Sequence, residues 1–153
     1  MSEHIQLKKE LYQLACESIA FKIEENKKAL ADLKESVGSE SKSTAGDKHE
    51  TGRAMIHLEQ EKVGRQMQNN LKLKKAIDSL RPENKSHKVG LGALVICDKI
   101  RFYVMASLGQ HTLYGNKYYF VSMKSEIVQA FLGKEQGAHI EFKGQIYTLK
   151  DIV

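Results

Sequence analysis

Two hydrophobic periods divide this chain, and they meet at its single proline, Pro82. Before it, Leu11, Ala15, Ile19 and Ile23 recur every fourth residue, and Leu30, Leu33 and Val37 continue at four-three spacing after Asn26. Beyond a bend, Val63 and Met67 are followed by Leu73, Ile77 and Leu80 at similar intervals. Alternating steps of three and four put apolar side chains on one face of a helix. Neither helix can bury such a stripe alone. A chain reversal near residues 38–46 lets the two stripes meet, which predicts an antiparallel two-helix coiled coil. Each arm holds roughly 30 residues, so at ~1.5 Å per residue the hairpin spans about 45 Å.

After RPENKSH the period changes. VGLGALVICD, IRFYVMAS and NKYYFVSM are β-branched and aromatic runs separated by Gly, Asn and Asp, the pattern of strands. SEIVQAFLGKEQG reads as a short helix, with Ser125 at its N-cap and Gly133 where it ends. AHIEF and QIYTLKDIV form two closing strands around a Lys-Gly turn. The expectation is an α+β chain: a helical hairpin over residues 1–80, a linker over 81–87, and a small antiparallel sheet with one helix over 88–153. A module of about 65 residues lies near the lower limit for an independent core, which suits docking better than enclosing a substrate. Within NKYYFVSM, Tyr118, Tyr119 and Phe120 fit alternating burial in a strand better than a stacking surface for bases.

Composition narrows the class. Of 153 residues, 41% are hydrophobic and 28% charged, and no apolar run approaches the ~18 residues of a membrane span. MSEHIQLKKE is charged and helical rather than an apolar leader. A cytoplasmic protein is expected, with Cys16 and Cys97 as reduced, packed thiols, because neither has a CxxC or nearby His partner. Residues 1–80 carry 14 Lys/Arg against 13 Asp/Glu, and residues 81–153 carry 10 against 6. The balanced half fits exposed helical faces laced with ion pairs, and a protruding rod. The basic half suits an acidic partner or a phosphate backbone but has no dense basic run. His111 and His139 lack ligand-like neighbours, and no phosphate-binding loop, zinc spacing or nucleophile elbow occurs.

The bend STAGDKHETGR holds the candidate chemistry: Asp47 and Glu50, three positions apart. Two readings share this spacing. Asp47 as N-cap and Glu50 in the first turn form a D-x-x-E capping box, which needs no chemistry. Alternatively, two carboxylates on one face of a helix start can jointly ligate a hard cation such as Mg²⁺. Two are too few to hold it tightly, so a partner would supply the remaining ligands.

At this point the chain resembles the bacterial Gre transcript-cleavage factors. Their tip motif, G-D-x-x-E-N, appears here as Gly46-Asp47-Lys48-His49-Glu50-Thr51. Their closing pattern, S-P-x-G-x-A-L-L-G-K-x-x-G-D followed by a strand and Y-x-I, is matched by Ala130, Leu132, Gly133, Lys134, Gly137, Tyr147 and Ile152. The resemblance covers nearly the whole chain. It implies a coiled coil that enters the secondary channel of bacterial RNA polymerase and an FKBP-like C-terminal module that docks at the channel rim. It further implies that Asp47 and Glu50 assist, in trans, a Mg²⁺ shared with the polymerase, so that a water hydrolyses the RNA of a backtracked complex. On this reading the chain is no enzyme by itself, touches nascent RNA only indirectly, avoids membranes and acts as a monomer.

The chain also departs from the pattern. Lys48-His49 stands where the family has Leu-Ser, Thr51 replaces the Asn, and Arg53 and Ala54 replace an acid and an aromatic. Lys48 and His49 fit best as solvated side chains, and their positive charge opposes Mg²⁺ binding. Two alternatives therefore stay open: a Gre-like channel binder that tunes or inhibits polymerase without cleavage, and a coiled-coil adaptor whose acids only cap a helix. Prolyl isomerase activity, which an FKBP-like fold raises, is not expected without an aromatic cluster to line a proline pocket.

Overall fold

The computed structural model describes the backbone of residues 2–40 and 46–153 and the side chains of residues 4–38 and 51–153. Two long helices open the chain, α1 over Ser2–Glu40 and α2 over Gly46–Asp78. Six strands and a third helix follow: β1 Leu94–Cys97, β2 Arg101–Val104, β3 Gly109–Leu113, β4 Asn116–Val121, α3 Glu126–Phe131, β5 His139–Phe142 and β6 Gln145–Ile152. The architecture is α+β. Residues 18–74 form one compact unit, and residues 1–17 with 75–153 form another.

In the unit of residues 18–74, the stripe read from the sequence is the buried one. Ile19, Ile23 and Val63 are buried, and Leu30, Leu33, Val37, Met67 and Leu73 are half-buried. Asn26 interrupts the apolar series, and its side-chain oxygen accepts a hydrogen bond from the Asn70 amide at 2.7 Å. The exposed faces carry ion pairs one turn apart, Lys27–Glu24 at 3.9 Å and Arg65–Glu61 at 3.2 Å. Exposed pairs of this kind contribute only about 0.3–0.5 kcal/mol each, so the apolar seam decides the pairing.

In the second unit the strands lie in the order β3-β4-β2-β1-β6-β5. Every neighbouring pair is antiparallel except β2 and β4, which run parallel. The sequence reading expected five antiparallel strands; the sixth, β3, explains the difference. After β2 the chain passes beyond the site of β4, forms β3, and returns through a tight hairpin to lay β4 between β3 and β2. Its two turn residues, Tyr114 and Gly115, have φ of 52° and 79°, the sign that a two-residue type I′ hairpin demands at both positions. Lys143 and Gly144 (φ 50° and 80°) make the same turn between β5 and β6.

Strand alternation sorts the side chains into two layers. Val95, Cys97, Phe102 and Val104 share one core with Leu149, Ile152 and α3 residues Val128 and Phe131. Phe131 meets Phe102 edge-on at a centroid distance of 5.3 Å. As expected, Ser125 caps α3: its hydroxyl accepts from the Val128 N–H at 3.4 Å. Gly133, beyond the helix end, takes the φ of 76° that a residue with a Cβ resists. The opposite face of the sheet carries Leu94, Tyr103, Tyr118 and Phe120, all buried. There Lys8 of α1 lies 6.0 Å from the Tyr103 ring centroid, and Leu11, Ala15, Ile77 and Leu80 are buried in the same unit.

Candidate functional site

The helix carrying the two acids begins two residues earlier than the capping-box reading, with Asp47 as N-cap, requires. Because α2 starts at Gly46, Asp47 is its second residue and Glu50 its fifth. Both therefore belong to the first two turns, near the end of the helix whose dipole favours negative charge. The side chains of Asp47, Lys48, His49 and Glu50 lie outside the described residues, and so do the hydrogen bonds of a capping box and the ligand set of a metal. Past them, Met55 and Leu58 are exposed apolar residues while Ile56 is half-buried. Among the described residues, no three His, Cys, Asp or Glu side chains gather to hold a metal ion.

The other candidates resolve individually. Tyr118 and Phe120 are buried on one face of β4, and Tyr119 packs against the core on the other. That is strand alternation, not a stacking platform. His111 is half-buried on β3 with its ring edge-on to Phe120 at 4.8 Å. His139 is exposed and shares a hydrogen bond with the Thr148 hydroxyl at 3.2 Å. Cys97 is buried, and loss of hydration pushes its thiol up to about 12. Cys16 is half-buried, and neither cysteine is in a disulfide.

One functional-looking group escaped sequence reasoning. Lys8 is 1% exposed, and its Nζ donates to the backbone oxygens of Asn84 at 2.8 Å and Val153 at 2.7 Å. Burial lowers its ammonium from 10.5 to about 8. The signal was present: Lys8 stands one step of three ahead of Leu11, at the head of the buried stripe. Nearby on α1, His4 pairs with Asp151, and Glu10 accepts from the Tyr114 hydroxyl at 2.9 Å. Three side chains thus tie the first turns of α1 to the sheet and to the segment that precedes it.

No known family matches the chain, and no curated protein does. A solved structure described as that of the transcription factor Gfh1 is similar over 90% of this chain and 92% of its own, with 14% identity and a TM-score of 0.38. Similarity at that level transfers no role to any residue here. Among the described residues, no helix is long and apolar enough to cross a membrane.

Proposed function

We propose that this chain is a Gre-like transcription elongation factor, one that binds bacterial RNA polymerase through the secondary channel and stimulates cleavage of backtracked RNA. The observation that carries the reading is positional. Asp47 and Glu50 occupy the first turns of α2, directly after the connection between two long helices. A hairpin so built offers two negative oxygen donors at its turn, where they can enter another molecule's active site. The matches at Ala130, Leu132, Gly133, Lys134, Gly137, Tyr147 and Ile152 support the same reading independently, and the module that bears them is assigned the FKBP-like docking role.

The donor chemistry fits a shared Mg²⁺. Carboxylates are the hard oxygen ligands that ion takes, and two of them leave most of its six positions to water and to polymerase residues. Bound there, the ion would supply Lewis-acid stabilisation of the attacking and leaving oxygens of a phosphodiester displacement. Asp47 and Glu50 would hold and orient the ion, from the end of the helix whose dipole favours negative charge. The chain contributes no nucleophile and is not an enzyme alone.

A second reading rests on Lys48-His49. Positive charge between the acids weakens cation binding, which favours a factor that occupies the channel and tunes polymerase without cleavage. Cleavage assays on backtracked complexes separate the two, and co-purification with bacterial core polymerase separates both from a coiled-coil adaptor. Deleting residues 88–153 is expected to abolish polymerase binding. Retention of binding by residues 1–87 would refute the docking role of the sheet module.

A further inference from the structure

We infer that the cleft between the first turns of α1 and the sheet is a binding site for a small organic oxyanion, with Arg101 as its anchor. The cleft has a volume of about 410 Å³, within the range of small-molecule sites. Leu7 and Ile96 supply apolar wall, Tyr114 and Tyr118 supply rings, and the amides of Gln6 and Asn116 stand at its edge. Arg101 opens β2 opposite Ile96 of β1, so its side chain shares the face of Tyr103 and enters this space.

Charge accounting identifies the ligand class. Glu10 is the one carboxylate that lines the cleft, and it accepts from the Tyr114 hydroxyl at 2.9 Å; Asp151 pairs with His4, another lining residue, so neither acid holds Arg101. The Glu10 hydrogen bond also raises the Tyr114 phenol, keeping it a donor. Among the described residues, the half-buried Arg101 guanidinium has neither a hydrogen-bonding acceptor nor an ion-pair partner. An arginine fork without a partner, beside two rings, matches a carboxylate or phosphate carried on a flat apolar body, because bidentate N–H···O pairing and ring contact are satisfied together. The site does not involve Asp47 or Glu50, so it stands whether or not the chain acts on polymerase.

The test is an NMR titration of the full ¹⁵N-labelled chain with phenyl phosphate, benzoate and, as the neutral control, benzyl alcohol. Saturable shifts are expected at the amides of Leu7, Glu10, Ile96, Arg101 and Asn116 with at least one of the two anions, and not with the alcohol. The anion that saturates first tells phosphoryl from carboxylate ligands. Arg101→Gln is expected to weaken binding by at least about tenfold, the loss of one charge-assisted hydrogen bond, and Arg101→Lys by less. Asn116 is exposed on β4, so Asn116→Asp tests the site without touching the core: its added negative charge is expected to weaken anion binding. Absence of saturation with both anions, equal response to the alcohol, or unchanged affinity in folded Arg101→Gln and Asn116→Asp proteins would overturn the inference.

Discussion

The ammonium of Lys8 donates to the backbone oxygen of Val153 at 2.7 Å, across 145 positions of sequence, from a side chain that is 1% exposed. A lysine in this position closes one layer of the fold and brings a charge out of water to do it. The two effects oppose each other, and pH separates them.

Below pH 8 the folded and unfolded chains both carry the Lys8 proton, and the desolvation cost of the buried ammonium is fully present. Between about 8 and 10.5 the unfolded chain keeps a proton that the folded chain releases. The Lys8 contribution to folding stability is therefore expected to rise with pH across that window, by up to about 3 kcal/mol, while from about pH 9 the raised Cys97 thiol works against it. Above pH 10 Tyr12, raised to about 12 by burial and by Cys16, works in the opposite direction. Urea midpoints between pH 8 and 10 check this: the wild-type midpoint climbs relative to that of Lys8→Met, which lacks the titrating group. Parallel curves for the two proteins would contradict it.

The Asn26–Asn70 hydrogen bond sits in the apolar seam of the hairpin, with Asn26 9% exposed. Asn70→Ala leaves the Asn26 oxygen without its donor and is expected to cost about 1–3 kcal/mol. Replacing both by Leu is expected to be neutral or stabilising, while loosening register and favouring self-association through the widened apolar seam. Chemical denaturation and sedimentation velocity together read out both effects.

Phe131 is fully buried and touches Phe102 and Tyr147 edge-on. Phe131→Ala removes the side chain through which α3 reaches the core and is expected to cost about 3–5 kcal/mol. In a module of this size that is most of its stability, so loss of the cooperative near-ultraviolet transition at 25 °C is the expected result.

The Cys97 thiol is buried and pushed up to about 12. Only the thiolate reacts with alkylating reagents. Iodoacetamide at pH 8 is expected to leave Cys97 unmodified in the native protein and to label it in denaturant, as peptide mass spectrometry would show. Rapid native labelling at Cys97 would show that the core opens locally.

The sequence made the hairpin legible because a helical stripe is a local, repetitive signal: Leu11, Ala15, Ile19 and Ile23 are all buried, and Val63, Ile77 and Leu80 answer them. The N-cap at Ser125 and the turn at Lys143–Gly144 were equally readable, since each depends on one or two residues. The strand β3 was not. GQHTL has no apolar run because it is an edge strand with little burial, and only the Tyr114-Gly115 turn marked it. The parallel pairing of β2 with β4 was out of reach for a different reason: it joins strands separated by a whole hairpin, and no local pattern encodes that. Lys8 escaped because a lysine's charge hides its place in an apolar series, although its spacing puts it at the head of the stripe. The acids at positions 47 and 50 were legible as a pair, and their spacing alone does not divide capping from catalysis.

The central claim is that the carboxylates of Asp47 and Glu50 act inside another molecule's active site. Backtracked elongation complexes of bacterial RNA polymerase, incubated with Mg²⁺ and either wild-type chain or the Asp47→Asn/Glu50→Gln double variant, test it most directly. The account predicts that the wild type accelerates release of a short 3′ RNA fragment. The variant is predicted to bind polymerase comparably and to leave cleavage at the rate of polymerase alone. A double variant that cleaves as fast as wild type would contradict it.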